Sequence, residues 1–305
     1  MDLADRFFGK GTPELGGPPV ANPRLQMPPA FSLLFPSPPE LEADALTLAL
    51  RGFHPELASA TAELLTVTPE PGDTSNSSPT AMGLVGWGRH VVKLVAFGCP
   101  APASAVEQCV QPAHYDPSIK DEATRHTAHV VLFYAGYETD PLEQHVAIAA
   151  VGAALARFGA VVVLNETART SVPAMVLEPH EEDNGDTLAA LRSLPLPFLY
   201  AGFVKLEVEG ESGLWMRTYG CHALKLPDLA FRAEGHHQGT ATFNLFANML
   251  VYLRESGKAF NPGDSMNVGE GMFLRLRART MEEWFLESEG EMLVAERIAP
   301  EEANK

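Results

Sequence analysis

Two short stretches of this chain carry two kinds of side chain that alternate with a period of two. Residues 214–219 read Leu-Trp-Met-Arg-Thr-Tyr, and residues 273–279 read Phe-Leu-Arg-Leu-Arg-Ala-Arg. Successive side chains of a β-strand point to opposite faces of its sheet, so this period predicts strands. Both stretches are therefore expected to belong to a sheet that has one mainly aliphatic face and one face rich in cations and rings.

On the first predicted strand, Trp215, Arg217 and Tyr219 share a face. A guanidinium that lies between two rings gains cation–π attraction and still offers N–H donors to a carboxylate or a phosphate. This face is therefore a candidate site for an anion or an acidic partner. In the alternative interpretation, the face packs under a helix and Arg217 pairs with a buried carboxylate, either Asp228 or Glu207.

The second predicted strand places Arg275, Arg277 and Arg279 on one face. Beside the first strand, these arginines would extend the same positive surface, with Arg275 and Arg277 on the side of Arg217. The alternative is a solvated strand face whose arginines are balanced by glutamates on neighbouring strands.

The composition indicates a globular protein with an acidic surface. The chain has 305 residues, 46% of them hydrophobic, and a net charge of -17. Its length suits two modest domains or one large one, and its acidity disfavours nucleic acids, whose phosphates it would repel. It shows no apolar run long enough for a membrane helix and no secretory leader, and its three scattered cysteines predict no disulfide framework. We therefore expect a cytoplasmic protein that does not enter a membrane.

The order of patterns along the chain predicts a leading arm followed by a first folded unit. Residues 1–29 are rich in Gly and Pro and show no periodicity, so an arm that is disordered or draped on the surface is expected. Residues 30–138 contain elements in the order β-α-β-β-α-β, which is the ferredoxin-like plan. The strands are predicted at 30–35, 60–68, 84–97 and 128–134, with a polar loop at 69–79 and helices near 41–49 and 102–110.

Residues 139–300 contain a second round of strands and helices, with an acidic loop and tail. A helix over 141–157 starts after the N-cap Asp140, and a second helix has an apolar stripe over 243–253. The other predicted elements are strands at 160–164, 198–208, 214–221, 271–278 and 292–296, an irregular segment at 165–197 with the acidic loop 178–186, a loop at 226–239, and a short helix at 281–286. The predicted fold class is α+β, with two tandem ferredoxin-like units whose sheets are antiparallel and whose helices lie mainly on one face.

Several short motifs together resemble a known family. They are His126-Thr-Ala-His129, Gly159-Ala-Val-Val-Val163, Tyr200-Ala-Gly-Phe203, Met216-Arg-Thr-Tyr-Gly220, Leu226-Pro-Asp228 and Pro262-Gly-Asp264. As a set, they resemble the bacterial domain-of-unknown-function family numbered 4261 over roughly residues 30–296. The resemblance implies an α+β architecture and a bacterial cytosolic setting, and it brings no activity or catalytic residues.

The histidines and cysteines do not predict a catalytic or metal centre. Cys221 and His222 are adjacent, so on a strand they point to opposite faces and cannot form a nucleophilic dyad. His236 and His237 are ligand types suited to zinc, but their spacing matches no standard site, and a solvent-exposed loop pair is the simpler interpretation. We therefore predict no catalytic residue, no cofactor and no metal, with His236 and His237 as the weak metal candidates.

These patterns favour a binding or interaction protein over an enzyme, because they contain no coherent set of acid, base and nucleophile. The expected partner is another protein with basic residues, in the manner of an adaptor or an immunity-type partner. The alternative is an enzyme or small-molecule binder that holds an anionic ligand on the second sheet through Arg217 and Tyr219. The candidate binding residues are Trp215, Arg217, Tyr219, His222, Asp228, Arg275 and Arg277.

Overall fold

The chain folds into two compact units, each built around one sheet. A computed structural model describes residues 2–14, 17–67, 78–180, 185–210, 212–269 and 271–302. Unit 1 comprises Met1–Glu166 and Thr170–Leu194, and unit 2 comprises Thr167–Arg169 and Pro195–Lys305. The predicted α+β class is confirmed. The predicted loops 69–79 and 178–186 lie partly outside the described residues.

Seven described strands form an antiparallel sheet in unit 1. They are β1 (Ala30–Phe35), β2 (Thr61–Thr66), β3 (Pro79–Trp87), β4 (His90–Phe97), β5 (Ala128–Tyr134), β6 (Val162–Asn165) and β7 (Thr170–Pro173). Their order across the sheet is β2-β3-β4-β5-β1-β6-β7. The predicted strand 160–164 is β6, and it pairs with β1. Unit 1 therefore continues well beyond residue 138, where its end is predicted.

Helices cover both faces of this first sheet. They are α1 (Leu3–Phe7), α2 (Ala43–Arg51), α3 (Ala103–Val110), α4 (Pro117–Thr124), α5 (Pro141–Ala156) and α6 (Thr187–Ser193). Leu33 and Leu34 follow each other on β1 and so point to opposite faces. Leu33 packs against Gly152 of α5, whereas Leu34 joins the apolar cluster of α3 and α4. The expectation of helices mainly on one face is therefore wrong for unit 1.

Two local predictions in unit 1 need correction. The predicted strand 84–97 is a hairpin of β3 and β4, which turns at Gly88 with a φ of 51°. The predicted arm contains α1, in which Phe7 is buried and Arg6 forms an ion pair with Glu63 of β2. A five-residue helix is too short to show a helical period, and this is why the pattern of the arm did not indicate it.

Six described strands form the sheet of unit 2. They are β8 (Gly202–Leu206), β9 (Leu214–Tyr219), β10 (Asp228–Ala233), β11 (Ser265–Asn267), β12 (Phe273–Ala278) and β13 (Met292–Ile298). Their order is β11-β12-β13-β10-β9-β8, and β10 and β13 are parallel while the other pairs are antiparallel. Strand β10 lies within the predicted loop 226–239. The predicted tandem ferredoxin-like units are not confirmed, because the sheets hold seven and six described strands and the main boundary between the units in the sequence falls at residue 194.

One helix covers one face of the second sheet. After the short α7 (Leu196–Leu199), α8 (Gly239–Ser256) contains the predicted helix 243–253. Phe203 lies opposite Thr218 in the strand register, and its ring packs edge-on against Phe243 and Phe246 of α8, with centroids 5.6 and 6.1 Å away. Helix α8 therefore lies on the face of Thr218, which is the face away from Arg217.

Candidate functional site: the cationic face of the second sheet

The strand register brings the two predicted cationic stripes to the same side of the sheet. Arg217 lies opposite Ala230, Ala230 opposite Val294, and Val294 opposite Arg277. Directly paired residues share a face, so Arg217 and Arg277 point to the same side. Because side chains alternate along each strand, residues two positions away from Arg217 or Arg277 point to this side as well. This face carries Trp215, Arg217, Tyr219, Arg275 and Arg277.

The central part of this face is not open to solvent. Arg217 is fully buried, Trp215 is 4% exposed and Tyr219 is 9% exposed. Residues 284–290, which we call the cover segment, lie over it. The segment begins with a short 3-10 turn, Trp284–Leu286, where the sequence predicts a helix over 281–286. The ring of Phe285 lies 5.8 Å from that of Trp215, so the face is covered, but by a loop and not by the helix of the alternative interpretation.

Arg217 is a buried cation held by the main chain of the cover segment. Its Nη1 donates to the carbonyl oxygens of Phe285 at 3.2 Å and Glu287 at 3.0 Å. Its guanidinium carbon lies 3.7 Å from the centre of the Tyr219 ring. Burial lowers the pKa of Arg217, and the nearby Tyr219 and the charge of Asp228 partly offset this effect. Within the described residues, no carboxylate lies within 4.0 Å of Arg217, so the predicted direct ion pair with Asp228 or Glu207 is not formed.

A second arginine of unit 2, Arg169, also lies over the ring of Tyr219. The guanidinium carbon of Arg169 lies 4.3 Å from the centre of the Tyr219 ring, close to the 3.7 Å of Arg217. The sequence predicts that Arg217 can lie between the rings of Trp215 and Tyr219. The structure instead pairs Tyr219 with two arginines and Trp215 with Phe285.

Asp228 ties the sheet to the cover segment from a fully buried position. Its Oδ1 accepts from the hydroxyl of Thr218 at 3.0 Å and from the backbone N–H of Cys221 at 3.2 Å. The hydroxyl of Ser288 donates to its Oδ2. A buried carboxylate is stable only when donors satisfy it, and here three donors converge on one side chain. Asp228 is therefore a structural junction in this conformation.

His222 makes a further contact with the cover segment. Its Nε2 lies 3.2 Å from a carboxylate oxygen of Glu289. A Cβ at position 290 would stand 2.6 Å from the Cβ of His222, so the close approach requires Gly290. Arg217, Asp228 and His222, all predicted site residues, thus bind one continuous segment of their own chain.

Cys221 is enclosed beside Asp228 and lacks the features of a reactive thiol. It is fully buried, and its Sγ donates to the hydroxyl of Thr218 at 3.3 Å. Burial raises the pKa of Cys221 well above its usual range, so the thiol stays protonated at neutral pH. The imidazole of His222 interacts with Glu289 instead, in line with the expectation that Cys221 and His222 form no dyad.

The outer arginines of this face are paired with acidic or carbonyl oxygens. Arg277 donates to Glu283 at 2.6 Å and to Glu296 at 2.6 Å, and these bonds raise the pKa of Arg277. The bond from Arg277 lowers the pKa of Glu283. Arg275 donates to the carbonyl oxygen of Glu302 at 2.7 Å. The outer stripe is therefore balanced largely by glutamates, as the alternative interpretation predicts.

The weak metal candidates lie on the surface and do not converge. His236 is exposed and its Nε2 lies 2.8 Å from Glu207, while His237 is also exposed. Within the described residues, no group of three His, Cys, Asp or Glu side chains is placed to hold a metal ion.

The helices among the described residues include none with the length and apolar content needed to cross a bilayer.

A groove that the sequence reasoning missed lies on the other face of unit 2. This α8–β11 groove has a volume of about 670 Å³. Its main lining residues are Leu245, Asn248, Tyr252, Lys258, Phe260 and Met266. Tyr252 is 46% exposed and stacks on Phe260, with ring centroids 6.0 Å apart. One signal was available, because Leu245 and Tyr252 are large apolar residues outside the stripe of α8 that faces the core.

Comparisons with known proteins bear on the second unit alone. No curated protein matches the chain, and no solved structure matches it. A family model matches residues 217–293, which run from Arg217 through the whole cover segment. The motifs near His126, Gly159 and Tyr200 lie outside this match. Over residues 217–293, the chain is therefore similar to the family described as "Domain of unknown function (DUF4261)".

Proposed function

We propose that this protein is a binding protein, and that it docks a segment of another protein in the α8–β11 groove. The observation that carries the proposal is the groove itself, about 670 Å³ in volume and lined mainly by apolar side chains. This volume falls within the range of about 300–1,000 Å³ that is typical of pockets for small molecules and cofactors. The groove runs beside β11, the strand at the edge of its sheet, so main-chain groups lie next to the apolar lining.

The state of the cationic face supports a binding role over a catalytic one. Its central residues are buried and bound to the cover segment, so they are not presented to a substrate in this conformation. The net charge of -17 favours a partner with basic residues, which a long-range field would attract. An adaptor or immunity-type partner in the bacterial cytoplasm has these properties.

Site-specific photo-crosslinking tests the proposal. Benzoylphenylalanine at Asn248, an exposed residue of the groove, is expected to form an adduct with a partner in cells that naturally make the protein. The same probe at Thr240, an exposed residue of α8 that does not line the groove, serves as the matched control. Adding Leu245→Glu should remove the Asn248 adduct. Equal adducts from both positions, or none from either, would contradict the proposal.

A second candidate is a small anionic ligand, or the substrate of an enzyme, held by Arg217 and Tyr219. One observation favours it: two buried N–H donors of the covered face lack a hydrogen-bond partner among the described residues. They are Trp215 Nε1 and Arg217 Nη2, and the buried Nδ1 of His222 is also without a partner there. Such groups are costly, and a bound anion or water would satisfy them. Because Arg217 is fully buried, the cover segment would have to move for a ligand to enter.

Anion-dependent stability separates the two candidates. The Tm of the wild-type protein is measured against phosphate and citrate at constant ionic strength. A saturable rise that is lost in Arg217→Lys would support the second candidate, because binding to the folded state raises stability. An unchanged Tm would leave the groove as the functional site.

A further inference from the structure

We infer that the α8–β11 groove binds the extended C-terminal end of another protein, which adds to β11 as a further strand. An apolar side chain of the peptide enters the groove, and its terminal carboxylate lies near Lys258. This inference rests on the proposed function and specifies the partner of the same groove.

The main chain of β11 offers free hydrogen-bonding groups at the edge of the sheet. The backbone N–H of Leu276 donates to the carbonyl of Asp264 at 2.8 Å, and that of Val268 donates to Met272 at 3.0 Å. Hydrogen-bonded positions alternate along an antiparallel pair, so Ser265 and Asn267, which lie between these positions, direct their N–H and C=O away from β12. An extended peptide pairs with such groups, as in recognition by strand addition.

The three residues of the edge strand include no charged side chain or proline that would block an added strand. Natural edge strands are protected by short length, by charged residues such as lysine, by proline or by a covering element. Residues 265–267 are Ser-Met-Asn, and both Ser265 and Asn267 are exposed. Three residues suffice for a short ladder but not for a large flat surface, which suits a peptide better than a broad sheet.

The groove gives the added strand a place for apolar side chains. Met266 lies opposite Leu274, and it lines the groove together with Leu245 and Tyr252 of α8. Side chains of an extended peptide alternate, so every second one would point toward α8. Main-chain pairing then supplies affinity, and the groove selects for apolar side chains at alternate positions.

One of the two charged residues that line the groove, Lys258, favours a carboxylate. Helix α8 ends at Gly257, whose φ is 64°, and the next residue, Lys258, lies with its Nζ 5.7 Å from the centre of the Tyr252 ring. Within the described residues, no carboxylate lies within 4.0 Å of Lys258. The other charged lining residue is Asp264, which accepts a bond from the backbone N–H of Asn261 at 2.8 Å. Lys258 therefore gives the groove a cation that matches a terminal carboxylate, and the acidic chain disfavours acidic residues elsewhere in the peptide.

Peptide display tests the inference with defined probes. Random heptapeptides with a free C-terminus are selected on the wild-type protein, in parallel with the same library whose C-terminus is extended by a glycine–serine tail. Enrichment is expected from the first library alone, with an apolar residue near the end. An enriched peptide is then synthesised as the acid and as the amide, and its Kd is measured by fluorescence polarisation.

Variants of the groove give the decisive comparison. We expect the amide, and also Lys258→Glu with the acid, to bind about tenfold more weakly. Ser265→Pro, which removes an outward N–H, and Leu245→Glu should abolish binding, while Thr240→Glu should bind like wild type. Circular dichroism and the Tm confirm that each variant is folded.

The failures of the inference and of the proposed function are distinguishable. Equal binding of acid and amide, or equal enrichment from both libraries, would overturn the C-terminal inference, whereas an Asn248 crosslink would still support docking in the groove. No enrichment, together with a dimer that Ser265→Pro disrupts, would overturn the inference in favour of a second copy as the occupant. No enrichment and no dimer would overturn it outright.

Discussion

The hydroxyl of Ser288 donates a hydrogen bond to the buried carboxylate of Asp228, a residue sixty positions earlier in the chain. The same carboxylate accepts from Thr218 and from the backbone of Cys221. One buried side chain therefore links the end of β9, the start of β10 and the cover segment. Loss of any of these donors leaves part of its hydrogen-bonding capacity unused in a place that water does not reach.

Ser288→Ala is expected to lower the free energy of unfolding by about 1–3 kcal/mol, because it leaves a buried acceptor unsatisfied. Urea denaturation provides the measurement. Ser256→Ala is the matched control, since Ser256 is an exposed residue of the same unit whose hydroxyl bonds to the carbonyl of Tyr252. It should change stability by about 0.5 kcal/mol or less. Equal effects of the two substitutions would show that the Ser288 bond contributes nothing specific.

Gly213→Ala should destabilise the protein more than Gly210→Ala. Both glycines have left-handed φ values, 80° and 84°, so both alanines carry a similar backbone strain. A Cβ at Gly213 would stand 2.4 Å from the carbonyl oxygen of Ala233, whereas a Cβ at Gly210 meets nothing within 4 Å. We expect Gly213→Ala to lower the free energy of unfolding by about 1–3 kcal/mol more than Gly210→Ala does, because the added Cβ forces a shift of the backbone at this end of the β9–β10 pair. Chemical denaturation of both variants measures the difference, and equal losses would contradict the described contact.

Thiol labelling should separate the cysteines by burial. Cys109 and Cys221 are buried, whereas Cys99 is partly exposed. The raised pKa of Cys221 further limits its reaction, because the thiolate is the reactive form. We therefore expect Ellman's reagent to label Cys99 first in the native protein and all three cysteines in denaturant. Rapid labelling of Cys221, identified by mass spectrometry, would contradict its enclosure beside Thr218 and Asp228.

His145 should make stability depend on pH in the acid range. It is buried in α5, its Nδ1 lies 2.8 Å from the carbonyl of Pro141, and burial lowers its pKa from 6.5 to about 4. As the pH falls, His145 therefore becomes protonated in the unfolded chain before it does in the folded protein. The contribution is fully present above pH 6.5 and is lost as the pH falls toward 4, by roughly 3 kcal/mol in total.

Urea denaturation of the wild type and of His145→Gln at pH 7.0 and 4.5 tests this expectation. Burial also lowers the pKa of His90 and His126, so these residues contribute in the same direction in both proteins. The difference between the two pH dependences isolates His145. Parallel curves for the two proteins would contradict a neutral, buried His145.

The faces of β9 and β12 were predictable because their signal is local. Trp215, Arg217 and Tyr219 are alternate residues of one strand, and alternate side chains of a strand point to the same face of the sheet. The position of the cover segment over this face was not predictable. It depends on contacts such as that of Asp228 with Ser288, and these two residues lie far apart in the sequence. The sequence pattern therefore indicates a cationic face without showing that the chain itself occupies it.

Strand β10 escaped prediction for a different reason. Its residues, Asp-Leu-Ala-Phe-Arg-Ala, are buried on both faces over most of their length, so no polar alternation marks them. Pro227 before the strand also suggests a turn. Strand β11 is only three residues long and follows the turn at Asn261–Asp264, which is below the length that periodicity can detect.

The parallel pairing of β10 with β13 has a consequence for how unit 2 is made. Strand β13 is the last described strand to be synthesised, yet it lies between β12 and β10 in the sheet. Until residues 292–298 have left the ribosome, β8, β9 and β10 form one fragment and β11 and β12 another, with no strand to join them. Unit 2 therefore completes its sheet only when translation of the described chain is nearly finished, and a nascent chain stalled before Met292 would expose two open edges to chaperones.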